Sequence, residues 1–395
     1  MENHKLKVCT IVGTRPEIIR LSRVMALLDE HMNHIIVHTG QNYDYELNEI
    51  FFKELGIRKP DYFLEVDKTS LGASVGEIIR KSETVLKKES PDAVLVLGDT
   101  NSCLAAYMAK RMHIPVFHME AGNRCFDFNV PEEINRRIID HIADFNLVYT
   151  EHARRHLISE GLPHRRIYLT GSPMKEVLDY YMPAIMKSVI LDTLELKTNN
   201  YIVVSTHREE NVDNPENLSK ILTVLNELAE YYNVPVIVST HPRTRKRMDD
   251  LNSIQLNPLI KFLKPFGFLD YVKLQMNALC TVSDSGTISE ESAILNFPAV
   301  SIRQSMERPE AQDAGTIILT GFDPVAVLNS IKIVIREFDA MKIYPIIPDE
   351  YNIVNTSWRV LKLISGNAGL SNIWNGINSN VSNQEKVNVQ SEKMK

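Results

Sequence analysis

Two carboxylates, Asp99 in Gly98-Asp99-Thr100 and Glu120 in His118-Met119-Glu120-Ala121-Gly122, each follow a short apolar run. A carboxylate so placed is either a helix cap or a catalytic acid or base, and Asp99 fits both readings, with a helix beginning near Asn101. Glu120 falls in the same layer, where a charge is costly unless it is paired or used. Pro131-Glu132-Glu133-Ile134-Asn135-Arg136 opens a helix whose Ile134, Ile138 and Ile142 are expected to face a core. Its two glutamates read equally as ordinary partners of the helix dipole.

Groups suited to anions recur at the same kind of place. Gly13-Thr14-Arg15-Pro16-Glu17 leads from an apolar run into a helix, with Arg20 nearby. Free backbone N–H groups and two arginines would hold a phosphate or carboxylate, although a tight turn with an exposed arginine gives the same pattern. His207 and His241 each follow a further run, where a histidine can move a proton, hold a phosphate or be incidental. Ser283-Asp284-Ser285-Gly286-Thr287, then Glu290-Glu291, is the most suitable phosphate cradle, because small residues turn into a helix start. Glu291 is placed to accept from a ribose, and Arg308 adds a cation; the bland alternative is a capped helix with solvated glutamates. No GxGxxG follows a strand and no Walker A sequence occurs, so no nicotinamide or ATP cofactor is indicated.

The elements that position these residues alternate along the chain. The runs Val8–Val12, His34–His38, Ala93–Leu97, Pro115–His118 and Phe145–Val148 predict the strands of a first sheet. Helices are predicted between them, over Ile18–Leu28, Leu71–Leu86 and Leu104–Met112. After Gly171-Ser172-Pro173 a second series follows: Tyr201–Ser205, Val234–Ser239, Ile260–Leu263, Leu279–Ser283 and Ala299–Ile302, with helices Pro215–Tyr231 and Gly286–Leu295. The expectation is an α/β protein with two Rossmann-like domains of parallel sheet, 1–173 and 174–365, and the site in the cleft between them. A last helix near 352–364 is expected to cross back to the first domain, and residues 366–395 to form a polar, disordered tail.

Composition sets outer limits. The chain has 395 residues, 44% apolar and 24% charged, with a net charge of -6. That balance argues against a sequence-independent nucleic-acid binder. No run is long enough to span a bilayer and no signal peptide is seen, so the expectation is a cytoplasmic protein without membrane insertion. Cys9, Cys103, Cys125 and Cys280 are scattered and indicate reduced thiols and no metal site.

Taken together, the motifs resemble the non-hydrolysing UDP-N-acetylglucosamine 2-epimerase family from about Lys5 to Ile364. They are GTRPE at 13–17, GDT at 98–100, EAG at 120–122, PEExNR at 131–136, HRxE at 207–210, DSGxxxEE at 284–291 and ERPE at 307–310. The resemblance implies a fold like that of GT-B glycosyltransferases, a homodimer, a UDP-linked N-acetylated sugar as substrate, and no cofactor. It implies acid/base carboxylates at Asp99, Glu120 and Glu132, with His207 at the diphosphate. It also implies nucleotide or substrate contacts at Arg15, Arg20, Arg136, His241, Ser285, Gly286, Thr287, Glu291 and Arg308, and an aromatic for the uracil at Tyr271. Gly122-Asn123-Arg124-Cys125-Phe126-Asp127, residues 38–44 and residues 171–174 look like the branch that makes UDP-N-acetyl-L-fucosamine from UDP-2-acetamido-2,6-dideoxy-L-talose. The N-acetylglucosamine enzymes read Gly-Leu-Arg-Thr at 122–125, so Asn123, Cys125 and Phe126 are the sugar-specificity candidates. Those enzymes also carry His and Gln where this chain has Asn42 and Asp44, so an activating second sugar-nucleotide site does not carry over.

Carbon 2 of such a sugar has no adjacent carbonyl. Inversion there without a nicotinamide is expected to run by elimination of UDP to a 2-acetamidoglycal and readdition, with a base on one face and an acid on the other. A GT-B glycosyltransferase is the rival enzyme class. It would share the nucleotide cradle without needing both groups.

Overall fold

The computed structural model describes residues 5–40, 52–206, 214–240, 255–341 and 347–377. The first sheet contains β1 (Lys7–Val12), β2 (Asn33–His38), β3 (Tyr62–Phe63), β4 (Ala93–Leu97), β5 (Val116–Ala121), β6 (Phe145–Val148) and β7 (Ile167–Leu169). They lie in the order β3-β2-β1-β4-β5-β6-β7, all parallel. The second sheet contains β8 (Ile202–Ser205), β9 (Val236–Ser239), β10 (Ile260–Leu263), β11 (Cys280–Ser283), β12 (Ala299–Ser301) and β13 (Ile318–Leu319). Its order is β10-β9-β8-β11-β12-β13, again all parallel. Each of the ten predicted strands is present; β3, β7 and β13 are two- or three-residue edge strands, too short to give a periodic signal.

Parallel sheets are covered by helices on both faces, and the strands are accordingly apolar throughout. In β1, Val8 and Val12 enter one core while Cys9 and Ile11 enter the other, following the strand's alternation. The first core is closed by helix α1 (Arg15–His31), which buries Ile18, Leu21 and Met25. The second is closed by α2 (Leu71–Glu89), α3 (Ala105–Arg111) and α4 (Pro131–Ile142). Helix α5 (Glu151–Ser159) lies against β7 and the loop after β5. Helix α6 (Met174–Met186) follows the first sheet and buries Val177, Leu178 and Ile185 in the same core as α1. In the second domain, α7 (Pro215–Tyr232) starts on an Asn214 side-chain cap with Pro215 at the first turn. Helix α8 (Phe268–Asn277) contacts α6, and α9 (Ile288–Leu295) follows β11.

The sheet orders place the site. In the first sheet the chain winds outward to both sides of the β1/β4 pair; in the second, of the β8/β11 pair. Ligands of such sheets bind beyond the carboxyl ends of strands at these switch points. Gly13-Thr14-Arg15 and Gly98-Asp99 follow β1 and β4, and Ser285-Gly286-Thr287 follows β11.

The last helix, α12 (Thr356–Trp374; α10 and α11 are Pro309–Asp313 and Pro324–Met341), packs against α1. It places Val360, Leu361, Ile364 and Ala368 in the core that holds Leu21. It is longer than expected, and the polar tail does not begin at 366. Ala368 and Ser371 continue the buried stripe set by Ile364, and Trp374 meets Phe145 with ring centroids 6.2 Å apart. Two glycines and several polar residues on the exposed side hid this continuation. All four cysteines are free. Among the described residues no helix is long and apolar enough to cross a membrane.

Candidate active site

The ends of β4 and β5 present the two carboxylates. Gly98 turns the chain at φ +70°, and its amide bonds the Met119 carbonyl of the neighbouring strand at 2.9 Å. Asp99 is next and pairs with Arg136 from α4. It does not cap a helix: Thr100 occupies that position ahead of a 3-10 turn at Asn101–Leu104, while Asn135 Nδ2 donates to the Asp99 carbonyl at 2.9 Å. Glu120 sits in left-handed backbone at φ +63°, where the β5/β6 register shifts between Met119 and Ala121. That conformation costs a glutamate energy and turns it out of the strand's alternation, so a local constraint fixes it. The constraint continues at Gly122 (φ +80°), where an added Cβ would lie 2.4 Å from the Ala153 carbonyl oxygen of α5. The Gly122 amide is fixed by the buried Asp140, which also takes Arg124 Nη1 at 2.7 Å.

Glu120 joins the domains. Its Oε2 accepts from Arg20 of α1, and its Oε1 accepts from Arg308 of the second domain at 2.8 Å. Asn123 Nδ2 approaches the same Oε1 at 3.4 Å. Burial would raise the Glu120 carboxyl, but Arg20 and Arg308 outweigh it and hold it below its ordinary value. Asp99 moves the other way: burial raises it, and Arg136 offsets only part of that rise. Two carboxyls at the ends of hydrogen-bonded neighbouring strands are thus driven apart, one toward the ionised form and one toward the protonated form.

The second domain contributes the anion cradle. The Ser285 amide bonds Ser283 Oγ at 3.0 Å, and the Ser285 and Thr287 hydroxyls are 2.9 Å apart at the start of α9. Arg308 reaches across the turn to donate to the Gly286 carbonyl, and a Cβ at Gly286 would stand 2.6 Å from its Nη1. A side chain there would push that guanidinium aside. Glu291 is buried and accepts from Gln275 Nε2 at 2.8 Å, and burial raises its carboxyl. Tyr271 on α8 packs with the cluster around Val203 and Leu274, and burial raises its phenol, with Glu291 adding to the shift.

Of the expected residues, the structure thus gathers Asp99, Glu120, Arg20, Arg136, Ser285, Gly286, Thr287, Glu291, Tyr271 and Arg308 around one interdomain region. Arg15 is half-buried at the first position of α1, and Glu132 is half-buried in the first turn of α4. His207, His241, Asn42 and Asp44 lie outside the described residues. The specificity candidates diverge: Asn123 is buried against Glu120, Cys125 is half-buried with its amide on Glu133 Oε2 at 3.1 Å, and Phe126 is exposed, edge-on to His156.

One expectation is reversed. Ile134 and Ile138 do not face the core; they are 47% and 43% exposed, and α4 instead buries Glu133, Arg136, Ile139 and Asp140. The charged stripe points inward because it has partners there, with Glu133 taking Arg136 and Arg137 and Asp140 taking Arg124. Nor are the α9 glutamates solvated, since Glu290 and Glu291 are both buried. Reading from sequence also missed Glu17, which accepts from the Gly13 and Thr14 amides at 2.6 and 2.7 Å and from Thr100 Oγ at 2.9 Å. It ties the two first-domain loops together. The Thr14-x-x-Glu17 spacing of a capping box was the available signal. Arg303, doubly bonded to Glu307 at 2.6 and 2.7 Å, had none.

Residues 26–365 match the family described as UDP-N-acetylglucosamine 2-epimerase. The chain belongs to that family. The structure of UDP-N-acetylglucosamine 2-epimerase from Rickettsia bellii is 52% identical with a TM-score of 0.87, covering 93% of this chain and 98% of that one. A Methanocaldococcus jannaschii UDP-GlcNAc 2-epimerase, in complex with UDP-GlcNAc and UDP, is 33% identical with a TM-score of 0.84, covering 91% and 99%. A relative from Pseudomonas aeruginosa, named UDP-2,3-diacetamido-2,3-dideoxy-D-glucuronate 2-epimerase, is 35% identical over 80% of this chain and 88% of its own. The two-domain, GT-B-like architecture implied by the motifs is the fold of this family.

Proposed function

We propose that this chain, a UDP-sugar 2-epimerase by family, converts UDP-2-acetamido-2,6-dideoxy-L-talose to UDP-N-acetyl-L-fucosamine for a bacterial capsule or O-antigen. The reaction is carried by the opposed carboxyls. Ionised Glu120 removes the hydrogen of carbon 2. The C–H electron pair becomes the C1–C2 double bond of a 2-acetamidoglycal, and the C1–O pair leaves with UDP, anti to the departing hydrogen. Asp99, whose carboxyl burial shifts toward the protonated form, then delivers a proton taken from solvent to the opposite face of carbon 2 while a diphosphate oxygen re-forms the bond to carbon 1. Exchange with water restores both carboxyls, so the new hydrogen comes from solvent. Arg308, Arg15 and the start of α9 meet the charge on the leaving diphosphate. His207, His241 and Glu132 carry the roles that the motif resemblance gives them: His207 at the diphosphate, His241 in contact with nucleotide or substrate, and Glu132 as a further acid/base group.

The sugar is read from Asn123. The departure from Gly-Leu-Arg-Thr supports this reading: the Asn123 amide lies beside Glu120, at a position where the N-acetylglucosamine enzymes have a leucine. UDP-N-acetylglucosamine is the second reading, favoured by the name of the Rickettsia bellii relative. Turnover of each compound separately, followed at carbon 2, decides between them. Conversion of the 6-deoxy-L-talose compound supports the proposal, and conversion of UDP-N-acetylglucosamine alone moves the chain to the second reading.

The proposal includes a homodimer formed through the face of α3 and α4. Tyr107 of α3 and Ile134 and Ile138 of α4 are exposed apolar side chains on these two helices, and they support this reading.

A further inference from the structure

We propose that Glu290 is a positioning residue for this reaction, holding Arg20 and Arg308 from behind so that both guanidiniums bear on Glu120. This rests on the reading of Glu120 as the base. Glu290 is the third residue of α9, fully buried, with neither carboxylate oxygen in a hydrogen bond. Its nearest cations are Arg20 Nη2 at 3.6 Å and Arg308 Nε at 3.7 Å. The same two arginines hold the two oxygens of Glu120 from the other side. Four charges therefore alternate in a ring across the domain boundary: Glu120 and Arg20 from the first domain, Glu290 and Arg308 from the second.

A buried carboxylate without hydrogen bonds is expensive unless its charge is balanced by cations, and a role in the helix dipole alone would leave it at the surface. Its contact with the arginines is by charge, at distances beyond a hydrogen bond. Remove that charge and two guanidiniums, which repel each other, share the single carboxylate of Glu120. Both would then favour an arriving diphosphate over their place at Glu120. With Glu290 present the ring is neutral, and Arg308 can turn between Glu120 and phosphate without either becoming a trap.

Glu120 is also faced by Arg136, Asp99 and Tyr149; Glu290 is also faced by Tyr149, Glu291, Glu310 and Tyr351. Glu290→Gln leaves these groups in place but takes the charge of Glu290 away from Tyr149, Glu291, Glu310 and Tyr351 as well as from the two arginines, so the Glu290→Asp comparison separates charge from packing. The test compares full-length wild type, Glu290→Gln and Glu290→Asp by turnover across pH and by calorimetric titration with UDP. For Glu290→Gln we expect kcat to fall about tenfold or more while UDP binds about threefold tighter, because freed guanidiniums meet the phosphates. The acidic limb of kcat/KM should move to lower pH, since losing a negative neighbour favours ionised Glu120. Glu290→Asp, which keeps the charge, should recover most of the rate and the limb. Wild-type kcat in Glu290→Gln, or a loss with an unmoved limb that Asp does not rescue, overturns the inference. If wild type turns over neither UDP-sugar, the epimerase reading fails separately. The UDP titration then decides alone: tighter binding in Glu290→Gln supports the ring and unchanged binding refutes it.

Discussion

Replacing Gly286 by alanine tests how tightly the nucleotide turn is coupled to the base. The added Cβ would lie 2.6 Å from Arg308 Nη1, while Arg303 Nη1 at 3.7 Å is undisturbed. Gly286 does not use left-handed backbone, so alanine fits the turn itself and the strain falls on the arginine. Nη1 must retreat by roughly 1 Å to reach a relaxed separation. Arg308 Nη2 sits on the same rigid fork at 2.8 Å from Glu120 Oε1, and a shift of that size takes it out of hydrogen-bond range. One charge-assisted hydrogen bond is worth about 1.5–3 kcal/mol. The variant should therefore lose about tenfold to a hundredfold in kcat, at roughly 1.4 kcal/mol per decade. Initial rates of UDP-sugar epimerisation measure the loss, and a thermal melt close to wild type shows that the fold is intact. A rate within twofold of wild type would refute the coupling of Gly286, Arg308 and Glu120.

The acid/base pair is tested by Asp99→Asn and Glu120→Gln, which should each cost about a hundredfold or more in kcat and leave UDP affinity within a few-fold. Near wild-type turnover in both would remove them from the chemistry. The pH profile of kcat/KM should be a bell. Its acidic limb falls as Glu120 is protonated, below the usual glutamate range, and its alkaline limb falls as Asp99 is ionised, above the usual aspartate range. Limbs that stay put in Glu120→Gln and Asp99→Asn would mean that other groups set them. Ile134→Asp with Ile138→Asp should convert a dimer to monomer by light scattering; an unchanged dimer would place the interface elsewhere.

The strands were legible because parallel sheets need unbroken apolar runs, and the places of Asp99, Glu120 and Ser285-Gly286 at strand ends were legible from where those runs stop. Helix α4 shows where that reasoning ends. Its isoleucines carried the strongest apolar signal in the segment, yet Glu133, Arg136 and Asp140 take the inside because Cys125, Asp99 and Arg124 await them there. Partners distant in sequence decide which face is buried, and no period reveals them. Glu290 was lost for the same reason: a glutamate in a first turn reads as solvated until Arg20, 270 positions earlier, is seen beside it. The continuation of α12 to Trp374 depended on Phe145 and Arg166 in the first domain, which the polar composition after 365 concealed.

Inversion should proceed through loss of UDP and reprotonation from solvent. Incubation in deuterated buffer with UDP-2-acetamido-2,6-dideoxy-L-talose, followed by NMR at carbon 2, measures it directly. Deuterium is expected at carbon 2 of the epimer, with UDP again attached to carbon 1. Epimer formed with its original hydrogen retained, or UDP bound with no exchange at carbon 2 of this sugar or of UDP-N-acetylglucosamine, would contradict it.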